Sequence, residues 1–150
     1  KLRWYTEMDA VLKSLLKQGF ERCHRHIIMY PDLNAQGRLF GGRLLEWIDI
    51  AVAGFVFDRT GTRDIVTVRF GEVIFEAPGE VNDVAEIWCR LMRIGGSSIQ
   101  VEARVMVDPG ADKRRHLICR SDVTFVHIGS DGRSTPWTEK MRQRALEVRS

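Results

Sequence analysis

The sequence predicts an α+β fold in which an antiparallel β-sheet wraps one long buried central helix. Three observations predict it. Residues 43–58 carry Leu44, Leu45, Trp47, Ile48, Ile50, Ala51, Val52, Ala53, Phe55, Val56 and Phe57 and leave almost no polar face; a helix apolar nearly all round is buried on most sides. Ile99, Val101, Ala103, Val105 and Val107 alternate with Ser98, Gln100, Glu102, Arg104 and Met106, the period of a strand with one face on the core. The order of segments is a strand, the buried helix, then four consecutive strands, and one helix enclosed by a sheet satisfies that order.

The elements follow in turn. Residues 6–17 read as a helix: Thr6 is a cap, Glu7 and Asp9 suit the first turn, Met8, Val11, Leu12, Leu15 and Leu16 recur at helical spacing, and Gly19 ends it. Residues 21–30 read as a first strand, and residues 31–42, rich in Pro, Asn and Gly, as a loop. After the apolar helix, residues 65–75 are β-branched and aromatic, Pro78, Gly79 and Asn82 mark a turn, and residues 84–94 form the next strand up to Gly95 and Gly96. Pro109, Gly110 and Asp112 make a further turn, residues 117–128 a last strand, and Asp131 and Gly132 a turn. Residues 137–150 are highly charged, a surface helix or tail. The reading is a helical extension over 1–20, one domain over 21–136 and a charged C-terminal segment over 137–150.

A chain of 150 residues with 44% hydrophobic and 29% charged residues has the balance of one globular domain. Its net charge of +3 demands no nucleic-acid partner. Cys23, Cys89 and Cys119 are widely spaced and odd in number, which points to reduced thiols and a cytoplasmic setting. No apolar run approaches the roughly 20 residues of a membrane span. A single open sheet leaves exposed edges and an incompletely covered helix, and pairing of protomers remedies both.

The chemistry centres on Asp49, in the middle of the most apolar helix. A buried carboxylate is costly unless paired or hydrogen-bonded; it is either a general base or a structural group tied to backbone or to an arginine. Gly41 and Gly42 stand at the helix entrance, where the first N–H groups lack internal partners and sit at the positive end of the helix dipole. Such donors can hold a developing oxyanion, or the glycines simply make the turn. Asn34, in the same loop, orients a water or closes an Asx-turn.

The run Pro31, Asp32, Leu33, Asn34, Ala35, Gln36, Gly37, Arg38, Leu39, Phe40, Gly41, Gly42, with Asp49 seven residues further on, resembles the hotdog acyl-CoA thioesterases of the YciA and cytosolic acyl-CoA hydrolase group. Weaker resemblance continues through Val66, Thr67, Val68 and Arg69, through Gly95, Gly96, Ser97 and Ser98, and through Phe125, Val126, Asp131 and Gly132. The resemblance implies an acyl-CoA thioesterase without a metal or other cofactor, CoA being part of the substrate. Asp49 would be its general base or, less favoured, a nucleophile; Asn34 would place water or thioester; Gly41 or Gly42 would supply the oxyanion N–H. Arg69, Arg93, Gly96, Ser97 and Ser98 would meet the CoA moiety, with Lys113, Arg114 and Arg115 as further cations for its phosphates. It also implies a homo-oligomer built on dimers, a tetramer or hexamer, in which the Asn34 loop of one protomer meets the Asp49 helix of another.

The chain departs from that pattern at Arg38, Arg43 and Glu46, which bears on substrate identity. His24 and His26 share a strand face but lack a third metal ligand in register, so no metal site is expected. The alternative function is a non-catalytic acyl-CoA-binding or sensing module; Asp49 with Asn34 favours catalysis, since a sensor needs no base. A hotdog dehydratase would want a histidine near the helix, and none lies between His26 and His116.

Overall fold

The computed structural model describes residues 10–110 and 113–147. The elements are α1 (Ala10–Lys17), β1 (Glu21–Ile27), a 3-10 turn (Tyr30–Asp32), α2 (Gly41–Thr60), β2 (Ile65–Phe70), β3 (Ile74–Phe75), β4 (Val84–Ile94), β5 (Ser98–Asp108), β6 (His116–His127) and α3 (Glu139–Leu146). The expected helix over 6–17 is present from Ala10; Thr6 and its first turn lie outside the described residues. The order of elements along the chain and the antiparallel sense of the sheet match the sequence reading; within the sheet the strands run β1-β4-β5-β6-β2, with β3 pairing further along β6.

Three local differences have physical causes. The first strand stops at Ile27 because Asp32 closes the chain into a 3-10 turn, its carboxylate accepting the Met29 N–H at 2.9 Å. The expected strand over 65–75 is broken between Phe70 and Ile74, where Gly71 presses so closely on Asp122 that a Cβ there would lie 2.0 Å from Asp122 Oδ1. The long helix begins at Gly41 rather than at 43 and runs to Thr60, where Gly61 takes a left-handed conformation at φ 80°.

The helix α2 lies on the inner face of the sheet. Leu44, Ile48, Ala51, Val52, Phe55 and Val56 pack against Ala85, Ile87, Cys89, Val101, Val105, Ile118 and Val123. Its burial is less complete than its composition suggests, because Glu46, Ile50, Gly54 and Asp58 form an exposed stripe with Ile50 57% exposed. On the outer face, Trp88 and Met106 are covered by Leu15 of α1 and by Phe20. Beside them Glu86, with no exposed surface, is held by Arg115 Nε at 2.7 Å, Arg22 Nη1 at 3.0 Å and Arg25 Nε at 3.3 Å. A carboxylate so deeply placed needs that much compensation. No helix among the described residues is long and apolar enough to cross a membrane.

Candidate active site

Asp49 sits on the flank of α2 that faces β2, half-buried, and its Oδ1 accepts a hydrogen bond from Thr67 Oγ1 at 2.7 Å. The strand delivers Thr67 to that position by plain alternation from Ile65, the two pairing with β6 in unbroken register. A bulge follows, the pairing of β2 with β6 shifting register between Thr67 and Arg69, so that Phe70 rather than Arg69 joins Ile65 against the core while Val66, Thr67, Val68 and Arg69 are exposed. Bulges commonly re-aim side chains beside functional sites. Thr67 is the contact that sequence reasoning missed: it is visible as one residue of an apolar strand, but its meeting with Asp49 joins a strand to a helix 18 residues away in sequence.

The Asn34 loop is a closed turn. Asn34 Oδ1 accepts from Gln36 N at 2.9 Å and Arg38 N at 3.2 Å, while Asn34 N donates to Arg38 O at 2.7 Å. Within one chain the Asn34 carbonyl oxygen is thus a turn former. Asp32 braces the loop from behind: its Oδ1 lies 3.4 Å from Arg43 Nε, and its backbone O accepts from Phe40 N at 2.8 Å. Leu39 N donates to Gly79 O at 2.8 Å, tying the loop to the β3–β4 turn.

The start of α2 has no side-chain cap, its N-cap residue being Phe40. A Cβ at Gly42 would lie 2.6 Å from the Phe40 ring, and one at Gly41 would lie 3.2 Å from the Phe75 ring. The helix entrance therefore offers unfilled N–H donors between two aromatic rings. Asn34 and Gly41 line one cleft of about 410 Å³ together with Arg38, Leu39, Leu44, Phe75, Ala77 and Ile118. Asp49 is not among the residues that line it. Asp49 lies eight positions after Gly41 on α2, roughly 12 Å along the axis, and the free N–H groups point out of the helix start, away from Asp49. The fold thus brings Asn34 and Gly41 together and holds Asp49 apart, against the edge strand.

The residues expected at the CoA moiety divide. Arg69 and Arg93 are exposed. The turn carrying Gly96, Ser97 and Ser98 lies against the C-terminal segment, with Gly96 O accepting from Trp137 N at 2.9 Å and Ser98 O from Trp137 Nε1 at 3.0 Å. Of the basic trio, Lys113 and Arg114 are exposed, whereas Arg115 is turned inward onto Glu86 and Asp108.

No group of three or more metal-ligating side chains occurs among the described residues. His24 and His26 do share a face, their ring centroids 5.7 Å apart, and His26 lies 4.2 Å from Trp47. The thiols are core groups. Burial, with a smaller contribution from Glu76, pushes Cys119 up to about 11, and hydrogen bonding with Cys23 together with burial pushes Cys89 up as well.

A model of the thioesterase superfamily matches residues 36–113. An uncharacterized acyl-CoA thioester hydrolase of Zymomonas mobilis is 38% identical over 78 residues, 52% of each chain, so this chain spans about half the length of that relative. The acyl-CoA thioester hydrolase YciA of Salmonella typhimurium is 30% identical over 115 residues, 75% of this chain and 86% of that protein. The crystal structure of a hexameric thioesterase from Yersinia pestis superposes with a TM-score of 0.74 at 29% identity, covering 79% of this chain and 96% of that one. The family match takes in the helix entrance, Asp49, Thr67 and the central strands together, and the chain belongs to the thioesterase superfamily, with its hotdog fold.

Proposed function

We propose that this protein is an acyl-CoA thioesterase whose active site is completed across a dimer. The observation that carries the reading is the oriented carboxylate: Asp49, on the helix flank, has one oxygen fixed by Thr67 at 2.7 Å, leaving the other to accept a proton from water. Asp49 of one protomer faces the edge strand β2, whose Val66, Thr67, Val68 and Arg69 are exposed. An unpaired apolar edge invites a second copy. Such a pairing supplies what one chain keeps roughly 12 Å away along the helix axis: the Asn34 loop and the Gly41 and Gly42 N–H groups of the partner. The similarity to a hexameric thioesterase supports an assembly of three such dimers.

In this mechanism the partner's helix entrance holds the thioester carbonyl oxygen. Asp49 takes a proton from a water as that water attacks the carbonyl carbon. The negative charge that develops on the carbonyl oxygen is met by the Gly41 or Gly42 N–H donors and by the positive end of α2. Collapse breaks the carbon–sulfur bond, CoA leaves as the thiolate and is protonated, and the free acid departs. Asn34 positions the thioester or the water; Arg69 and Arg93, with the turn at Gly96, Ser97 and Ser98, meet the CoA moiety. No step calls for a metal or another cofactor. The test is thiol release from short, medium, long and aromatic acyl-CoAs, with and without EDTA. Hydrolysis of at least one acyl class, unchanged by the chelator, is expected; binding without thiol release across the whole panel would leave the sensing module as the better reading.

A further inference from the structure

The cleft at the helix entrance has an apolar floor and a charged rim. Leu39 and Leu44 are buried, Ala77 is half-buried and Ile118 is buried, and together they supply surface for an alkyl stem. The rim carries two charges, Arg38 and Glu76. Glu76 is neutralised by Arg120, whose Nε lies 3.1 Å from Glu76 Oε1. No carboxylate lies within ion-pairing distance of Arg38 among the described residues. Neighbouring arginines are engaged, Arg43 by Asp32 and Glu46. The closed turn that fixes Asn34 also fixes Arg38, through Arg38 N on Asn34 Oδ1 at 3.2 Å and Asn34 N on Arg38 O at 2.7 Å. The Arg38 backbone is therefore anchored on the cleft that Asn34 and Gly41 also line, which puts its guanidinium within side-chain reach of the rim.

We infer that Arg38 selects acyl groups ending in a carboxylate, so that the substrate class is short acid-ended acyl thioesters. This rests on the thioesterase reading above. The guanidinium offers a planar pair of N–H donors to a carboxylate, which a methyl-ended chain of the same length cannot use. The apolar floor argues for the acyl end rather than the nucleotide end of the substrate. A nucleotide phosphate offers the same anionic chemistry, and the arms of the test separate the two.

The experiment compares glutaryl with valeryl thioesters, each as the CoA and as the pantetheine form, corrected for uncatalysed hydrolysis. The enzymes are the full chain, Arg38→Met and Arg38→Lys. The unmodified protein should favour the glutaryl thioester by about tenfold in kcat/KM, with either carrier; Arg38→Met should abolish the preference while leaving valeryl turnover within about twofold, and Arg38→Lys should keep part of it. Equal use of the two acyl groups by the unmodified protein overturns the inference. So does a ratio unchanged in Arg38→Met, and so does a loss in that variant confined to the CoA forms, which would assign Arg38 to a phosphate. If no thiol is released from any thioester, the hydrolase reading fails by itself, and calorimetric competition of glutaryl-CoA against valeryl-CoA on Arg38→Met and the unmodified chain still decides the role of Arg38.

Discussion

At the scale of single residues, the proposed mechanism turns on one carboxylate and the hydroxyl hydrogen-bonded to it. Removing the base removes a proton-transfer contribution worth about two orders of magnitude or more, so Asp49→Ala should lower kcat at least about a hundredfold while circular dichroism and the thermal midpoint stay close to those of the unmodified protein. A folded variant with near-normal turnover would make Asp49 structural. Thr67→Val should lower kcat with little change in KM, since it frees the carboxylate without touching the substrate. Asp49 and Asn34 stand out as candidates in the sequence through the gapless run from Pro31 to Asp49 and the family it resembles. The Thr67 contact is not legible there, because it depends on how β2 packs beside α2, and a threonine in a run of good strand formers carries no local sign of that partner. His24 carries a separate, pH-linked expectation. Burial, then the neighbouring His26, holds its pKa below the ordinary histidine value. The folded chain therefore binds fewer protons there than the unfolded one, and stability falls as the pH drops through the interval between the two values. His24→Gln should flatten the decline in urea midpoint between about pH 7 and pH 5; an unchanged slope would place that decline elsewhere.

At the scale of elements, the strands were readable wherever one face only is buried, as in β5, and less so where neighbours decide the ending. The start of α2 falls two residues before the expected one because Phe40 is its N-cap, and phenylalanine has no side-chain acceptor to signal a cap. The burial of Glu86 was equally hidden: its compensation comes from β1 and from the approach to β6, far apart in sequence. The charged C-terminal segment has a structural task that its composition conceals. Trp137 is 6% exposed within the main core, its ring stacked on His127 at 4.9 Å, and Arg144 Nε donates to Asp58 O at 3.1 Å near the end of α2. Basic groups there complement the negative end of the helix dipole. Trp137→Ala should cost about 3 kcal/mol of stability or more, read as a lower denaturant midpoint at unchanged slope. An exposed tail would give a change within about 0.5 kcal/mol.

For the whole molecule, the decisive question is whether the two halves of the site come from one chain or two. Asn34 and Gly41 share a cleft that Asp49 does not line, and Asp49 instead faces the exposed edge strand. Consider Asp49→Ala and Asn34→Ala, each expected to be nearly inactive alone under the proposed mechanism. If a site takes Asp49 from one protomer and Asn34 from its partner, a mixed dimer contains one site with both residues mutated and one with both intact. Random pairing of equal amounts makes about half of the dimers mixed, and one of the two sites in each of these works. Co-expressed or co-refolded variants should therefore recover about a quarter of the normal activity per site. Within-chain sites predict no recovery, because every site then carries one of the two lesions whatever its neighbour is. The same mixture made without subunit exchange is the control, and it should stay at the sum of the two variants. Placing a lysine at Val68, on the exposed edge, should reduce the recovery and the activity of the unmodified chain together, with sedimentation showing a shift toward monomer. Active monomers at micromolar concentration, or recovery absent despite demonstrated exchange, would return both halves of the site to a single chain.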